Sequence, residues 1–308
     1  MINHFSQIDV RASGSRRGFL FLMEQAHSVR ADTRCVTQQA CRKGWKVDVK
    51  ATDKRIGVVV GGGNGIGAAC CRLMAERGWK VVVADLDEGS AKAVSEEIGA
   101  HACAVDIRDH DAVERLAADI ESDVGPVHAL VVAAAAFQDR CTAFEATTDQ
   151  FRNVFAVNSE AVFALDRAFG KAMVRRRSGS IVNMASAVVY GSSPVHAYGA
   201  SKAAVVSLTR TLAVEWGRAG VRVNSVSPGS TLVERQLTRK SDPRFTTDPI
   251  GTSALGRKVL PREVAEGVEF LASDRASAIT GIDLLIDGGF VPASMWGFYG
   301  GVPAAEDP

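Results

Sequence analysis

The sequence predicts an α/β chain built on a doubly wound parallel sheet of about seven strands, with helices on both faces. Three observations carry this. From Arg55 onward, strand-length apolar runs alternate with helix-length stretches, the pattern of parallel strands joined by crossover helices. The runs are continuously apolar, not alternating, which implies strands covered on both faces. The first run leads straight into a glycine-rich turn, Gly61-x-x-x-Gly65-x-Gly67, that opens a helix.

Taken in order, strands are expected at 56–60, 81–84, 102–105, 129–132, 180–184, 222–226 and 284–286. Helices are expected at 66–77, 88–98, 111–122, 161–176, 198–216 and 262–271. Pro261 suits the first turn of the last helix, where its missing N–H is not needed. Residues 230–257 lack periodicity and hold several polar and proline positions. So long an irregular segment in a compact domain reads as a substrate lid or binding loop.

Three segments follow: an extension over 1–54, a Rossmann-type domain over 55–289 that includes the lid, and a tail over 290–308. The extension is rich in arginine and lysine without a sustained hydrophobic period. Its Ser15-Arg16-Arg17-Gly18-Phe19-Leu20 has the form of a twin-arginine export signal. The apolar stretch stops at Glu24, however, and no convincing small-residue cleavage site follows. The extension therefore reads as disordered, or as the product of a start codon assigned too early, with Val47 or Val49 as the true start. The tail carries Trp296, Phe298 and Tyr299. It reads as covering a neighbouring subunit, as closing the pocket, or as disordered.

Composition excludes several classes. The 308 residues, 46% hydrophobic and 23% charged, are ample for one packed domain. A net charge of +1 without blocks of like charge gives no nucleic-acid footprint. The longest apolar run, near 127–137, is interrupted by His128 and falls far short of the ~20 residues a membrane span needs. Six scattered cysteines form no framework or zinc pattern, and Cys70 and Cys71 are adjacent on one expected helix. The reading is a reduced, cytoplasmic protein without a metal.

The glycine turn has a direct physical use. Gly61, Gly65 and Gly67 permit a tight turn and close backbone approach to a pyrophosphate. The helix start at Asn64, Gly65 and Ile66 supplies unsatisfied N–H groups and about half a positive charge. Asp85 ends the next strand about 20 residues on, where an acid binds the adenosine ribose hydroxyls and repels a 2′-phosphate. That repulsion is worth roughly 1–4 kcal/mol at ~4 Å. Neither Asn64 nor Leu86 supplies a compensating cation, so NAD is expected over NADP. Asp106 and Ile107, after the third strand, are placed to hold the adenine edge.

Tyr198-x-x-x-Lys202 puts a phenol and an ammonium on one helix face. Lowering a phenol from about 10 to ~7 takes roughly 4 kcal/mol. One ammonium within ~4 Å supplies about that at an effective dielectric of ~20. Tyr198 is thus a candidate general acid/base for an alcohol or ketone. Ser186, after the strand at 180–184, is placed to hydrogen-bond the reacting oxygen. No Gly-x-Ser-x-Gly elbow surrounds it, which disfavours a serine hydrolase.

With these residues in place, the chain from Arg55 to Gly289 resembles a compact short-chain dehydrogenase/reductase. The matching positions are Gly61, Gly65, Gly67, Asp85, Asp106, Val157-Asn158, Ser186, Tyr198, Lys202, Asn224, Pro228-Gly229 and Asp287-Gly288-Gly289. The resemblance implies that Asn158 supports a water in a proton relay to Lys202. It implies that Pro228, Gly229, Ser230 and Thr231 meet the nicotinamide, that Ala134 lies along the cofactor, and that the protein is a homotetramer or homodimer. A narrower likeness, over 198–204 and 227–231, is to bacterial dehydrogenases of cyclic dihydrodiols.

The sequence departs from the family pattern at Val60, at the alanines 133–136 that replace Asn-Asn-Ala-Gly, in the shortened interval from Ser186 to Tyr198, and at Val233. The alanines remove an Asn that anchors the central strand. Candidate pocket walls are Phe137, Gln138, Val188, Tyr190 and His196, with Arg235, Arg239 or Arg244 on the lid available to an anionic substrate. The leading expectation is an NAD(H)-dependent oxidoreductase interconverting a small-molecule secondary alcohol and a ketone. The alternatives are an NADPH-dependent 3-oxoacyl-type ketoreductase and a non-catalytic dinucleotide sensor.

Overall fold

The structure, a computed structural model, describes residues 55–234, 243–245 and 252–303. The strands are β1 Ile56–Val60, β2 Lys80–Asp85, β3 His101–Ala104, β4 Val127–Val132, β5 Gly179–Met184, β6 Val221–Pro228 and β7 Asp283–Ile286. All pair in parallel in the order β3-β2-β1-β4-β5-β6-β7. The helices are α1 Gly65–Glu76, α2 Glu88–Ile98, α3 His110–Asp119, α4 Thr148–Phe155, α5 Ala161–Arg176, α6 His196–Gly217, α7 Pro261–Ala272 and the short α8 Phe290–Ala293. The strand order turns back between β1 and β4, which opens a crevice at their carboxyl ends.

Valine dominates the central strands because a β-branched chain fits a pleated surface buried on both sides. Val58, Val60, Leu130, Val132 and Ile181 pack on one face with Leu116, Leu165, Phe169 and Leu212. Val59, Val83, Val131 and Val182 pack on the other with Leu73, Met74, Val264 and Leu271. The continuous apolar runs therefore reflect two cores, one on each face of the sheet.

Some expected elements differ. The third strand lies at His101–Ala104 instead of 102–105 and is largely exposed, because it forms the edge and pairs on one side only. The helix expected at 111–122 divides into α3 and a π-helical turn, Ile120–Val124. Helix α6 starts two residues earlier than expected, at His196. Helix α4 was not expected, for its apolar positions are sparse. Its signal is the capping box, in which Thr147 and Gln150 satisfy each other's backbone N–H groups. A π-helical turn, Ala156–Glu160, joins α4 to α5.

The described residues flanking segment 235–251 are tied down. Thr231 bridges Val259 in parallel, with Leu232 N–H on the Val259 carbonyl at 2.8 Å and Val259 N–H on the Ser230 carbonyl at 3.0 Å. Arg244 pairs with Glu145 at 3.0 Å. In the tail, a single 3-10 turn spans Trp296–Tyr299 and its aromatic rings are exposed. The expectations for residues 1–54, for Arg235 and Arg239, and for 304–308 fall on residues outside those described. No helix among the described residues is long and apolar enough to cross a membrane.

One buried acid belongs to this frame. Asp166 on α5 is fully buried, and its Oδ2 accepts from Asn183 Nδ2 at 2.8 Å. The same amide nitrogen reaches Thr209 Oγ1 at 3.4 Å. Asp166 Oδ1 and Asn183 Oδ1 are both buried without a partner. Two orphan acceptors are costly, and a proton on Asp166 turns one of them into a donor. Burial pushes the Asp166 carboxyl up to about 7, with the Asn183 bond pulling weakly the other way.

The sign of the resulting linkage is fixed. The folded pKa lies above the unfolded one, so the contribution to stability is fully present below the unfolded value of about 3.9 and is lost as pH rises towards 7. We expect Asp166→Asn, which keeps the shape and supplies a donor, to melt at or above the parent at pH 8 and to flatten the decline in melting temperature between pH 5 and 7.5. Thermal melts of both proteins across that range check this. A variant several degrees less stable at pH 8 would show that the ionised carboxylate is needed.

Candidate functional site

The turn after β1 is shaped by backbone crowding. Gly61 has φ +81, and a Cβ there would lie 2.4 Å from the Ala134 nitrogen. A Cβ on Gly67 would lie 1.9 Å from the Gly61 carbonyl oxygen. No side chain fits at either position. Gly65 adopts φ +54, a left-handed conformation that glycine enters freely. The Gly61 and Gly62 N–H groups bond the Ala84 carbonyl at 2.8 and 3.0 Å, so the turn is pinned to the end of β2.

Helix α1 then begins without a side-chain cap, at Asn64, and without an acid in its first turn. The next two helices are capped conventionally, by Asp87 and Asp109. The uncapped, glycine-lined start of α1 fits the phosphates of a dinucleotide, which need backbone donors and a partial positive charge. Gly61, Asn64, Gly65, Ile66 and Gly67 surround this position.

Asp85 stands beside the turn. Its carboxylate accepts from Gly63 N–H at 2.8 Å and from Asp87 N–H at 3.1 Å, so it is oriented by backbone and partly open to solvent. Leu86 beside it is 66% exposed, leaving an apolar side chain where a base could lie. Asp106 is gripped by Arg108 through both carboxylate oxygens, at 2.9 and 2.6 Å. The Arg108 guanidinium lowers the Asp106 pKa below the usual carboxylate range. Ile107 is buried in the core.

The second half of the site lies at the carboxyl ends of β4, β5 and β6. Lys202 on α6 is 1% exposed, and its Nζ donates to the Met184 carbonyl at 2.7 Å. The same nitrogen stands 5.8 Å from the centre of the Tyr198 ring. Burial pulls the Lys202 ammonium down to about 7. Lys202 is thus also engaged by the β5 backbone, and its charge is sensitive to pH near neutrality. Ser186, two residues after Met184, is buried. Its Oγ caps a short 3-10 turn, Ala187–Tyr190, by accepting from Val188 N–H at 3.4 Å.

Asn158 lies in the π-helical turn before α5 and is fully buried. Its Oδ1 accepts from Ala136 N–H at 2.8 Å, and its Nδ2 donates to the Ala136 carbonyl at 3.0 Å and to Ser201 Oγ at 3.1 Å. This side chain therefore ties the loop after β4 to α6. The alanine loop keeps its register without the missing Asn: Ala133 and Ala134 N–H both bond the Val60 carbonyl, at 2.8 and 3.0 Å. Pro228 ends β6, Gly229 N–H bonds the Ile286 carbonyl at 2.9 Å, and Thr231 Oγ1 donates to the Gly229 carbonyl at 3.1 Å. A Cβ on Gly229 would meet Asp287 at 2.6 Å, so this turn too is closed to larger residues.

At the substrate end, Phe137 stacks on Tyr198 with ring centres 5.2 Å apart, and it is 46% exposed. Val188 is half-buried in the 3-10 turn after Ser186. His196 lies on an open hollow of about 240 Å³, beside Thr147 and the α4 residues Thr148 and Phe151. Tyr190 is drawn away by Asp283, to which its hydroxyl donates at 2.7 Å. Burial and that carboxylate push the phenol up to about 12, so it makes a poor proton donor. Arg244 is held by Glu145. Sequence reasoning missed the roles of Ser201 and of Gln138, whose Oε1 accepts from Ala197 N–H at 2.8 Å. Both pairings join residues far apart in the chain and leave no local periodicity.

Comparison with known proteins places this geometry in a family. The family model described as enoyl-(acyl carrier protein) reductase matches residues 60–291. The galactitol 2-dehydrogenase (L-tagatose-forming) of Cereibacter sphaeroides is 37% identical over 77% of this chain and 95% of its own. A structure described as ribose-5-phosphate isomerase from Brucella melitensis is 40% identical, covers 82% of this chain and 98% of its own, and superposes with a TM-score of 0.77. A second, described as a short chain dehydrogenase/reductase family protein, is 37% identical over 77% of this chain and 97% of its own, with a TM-score of 0.71. With its seven-stranded parallel sheet, its glycine turn and these relatives over most of its length, the chain belongs to the short-chain dehydrogenase/reductase family.

Proposed function

We propose that this protein is an NAD(H)-dependent oxidoreductase that interconverts a secondary alcohol and a ketone, with Tyr198 as the general acid/base. The observation that carries the reading is Tyr198 and Lys202 side by side on α6, with Lys202 buried against the end of β5 and Ser186 just beyond. The galactitol dehydrogenase relative supports an alcohol substrate. The setting we assign is cytoplasmic, the working form a homotetramer or homodimer, and the partner a small molecule.

When bound, the dinucleotide supplies the hydride acceptor for an alcohol or the donor for a ketone. The chain's own residues do the rest. Gly61 to Gly67 and the start of α1 hold the phosphates, Asp85 takes the ribose hydroxyls, and Pro228 to Thr231 border the nicotinamide end. Ser186 Oγ donates a hydrogen bond to the reacting oxygen. Tyr198 removes the proton from that oxygen in oxidation and returns it in reduction.

Lys202 in its cationic form favours the phenolate. Burial opposes that charge, so the help Lys202 gives the phenol weakens as its own proton is lost. Asn158 fixes the loop after β4 against α6 and so holds the wall beside Tyr198.

Tyr198→Phe removes the proton-transfer group and little else. We expect kcat on the best alcohol from a panel of polyols, cyclic diols and hydroxy acids to fall about a thousandfold, while the NAD dissociation constant stays within about threefold of the parent. Steady-state rates and a binding titration measure the two. A variant with undiminished turnover would rule out this mechanism.

The carboxylate of Asp85 supports NAD over NADP by charge repulsion, a preference of about tenfold to a thousandfold. We expect Asp85→Ser to collapse that ratio by raising the rate with NADP and lowering it with NAD. If the parent protein itself ran faster with NADP on a 3-oxoacyl thioester, the ketoreductase reading would replace this one.

A further inference from the structure

We propose that Gln138 is a positioning residue for the reaction: its amide caps helix α6 from the loop after β4 and fixes the turn that carries Tyr198. The proposal builds on the assignment of Tyr198 as the acid/base.

Helix α6 begins badly by local rules. The first N–H groups of a helix need acceptors from outside it. They usually take a Ser, Thr, Asp or Asn oxygen from the residue just before the helix, which typically bonds the second or third helical N–H. Here that residue is Val195, which has no such oxygen, and no side chain caps from that position. The second helical residue is Ala197, and its N–H bonds Gln138 Oε1 at 2.8 Å. Gln138 is 59 residues away in sequence and only 7% exposed. A distant side chain thus does the work of the missing local cap.

The amide is held at its other end as well. Gln138 Nε2 donates to Cys141 Sγ at 3.4 Å, and Cys141 N–H bonds the Pro194 carbonyl at 3.1 Å. Segments 138–141 and 194–197 are therefore stitched on both sides of the helix start. The preceding residues add to this grip. Ala136 is clamped by Asn158, which also holds Ser201 on α6. Phe137 lies against the Tyr198 ring, with an interplanar angle of 23°.

Three consecutive residues thus engage the first turns of α6 through Ser201, the Tyr198 ring and the Ala197 backbone. A phenol that must meet a substrate oxygen tolerates little displacement, since an error of ~1 Å can cost about a hundredfold in rate. Removing the Gln138 acceptor leaves a buried N–H unpaired one residue before Tyr198.

Two variants separate the acceptor from mere volume. Gln138→Leu keeps most of the bulk and removes the oxygen. Gln138→Glu keeps an oxygen for Ala197 and places a negative charge at the positive end of the helix, where it is favourable. For each, amide hydrogen exchange at Ala197 and Tyr198 would be measured on the full chain, together with kcat, KM for the best alcohol and the NAD dissociation constant.

We expect Gln138→Leu to speed exchange at Ala197 about tenfold and to lower kcat about tenfold, with KM and NAD binding within about twofold. Gln138→Glu should recover both to within about threefold of the parent. Unchanged exchange in the leucine variant would overturn the cap. Faster exchange with unchanged kcat would overturn the positioning role, and a glutamate variant as poor as the leucine one would show that the acceptor is not what matters. Gln138→Met repeats the test if the leucine variant does not fold. Undiminished turnover by Tyr198→Phe would remove the catalytic assignment yet leave the exchange comparison intact, so the two failures are distinguishable.

Discussion

Backbone has to pass backbone at the carboxyl end of β1, and the rest of the site depends on this. The turn at Gly61 runs so close to the loop after β4 and to the first turn of α1 that a Cβ would collide at Gly61 and at Gly67. Adjacent parallel strands make this unavoidable: their chains leave the sheet on the same edge and must cross to opposite faces. The resulting turn leaves the start of α1 bare. It also sets the height of the alanine loop, whose Ala133 and Ala134 N–H groups bond Val60. Asn158 then carries that placement across to α6 through Ala136 and Ser201.

The parts of this architecture readable in the sequence are those with local causes. Continuous valine runs marked both-face burial. The glycine spacing marked the turn, and a four-residue step put Tyr198 and Lys202 on one helix face. Edge strand β3 was displaced by a residue because its exposed alanines carry little signal. Helix α4 escaped notice because its apolar residues are few, although its capping box was there to be read. Gln138 and Asp166 were illegible for a different reason. A glutamine in a loop and an aspartate inside a helix look like surface residues until tertiary contact buries them, and no spacing rule links Gln138 to Ala197 or Asp166 to Asn183.

Burial acts on Asp166 and Lys202 in the same sense. Desolvation raises Asp166 and lowers Lys202, in each case to about 7. Each interior group is thereby drawn towards its neutral form. The surroundings differ, however. Asp166 meets the Asn183 amide at one oxygen and has no partner at the other, and no cation among the described residues is paired with it. Lys202 donates to the Met184 carbonyl and stands beside the Tyr198 ring, so it keeps a hydrogen-bond partner in either form.

How the helices begin follows a related division. Helices α2, α3 and α4 start with Asp87, Asp109 and Thr147, each satisfying its own N–H groups. Helices α1 and α6 have no such residue, and neither do α5, α7 and α8. A local cap on α1 would occupy the donors that a phosphate needs. A local cap on α6 would satisfy the helix but leave it indifferent to the loop after β4. Capping from Gln138 instead makes the position of Tyr198 depend on the same loop that borders the glycine turn. The two halves of the site, separated by more than a hundred residues of sequence, are thereby placed relative to each other by hydrogen bonds instead of by packing alone.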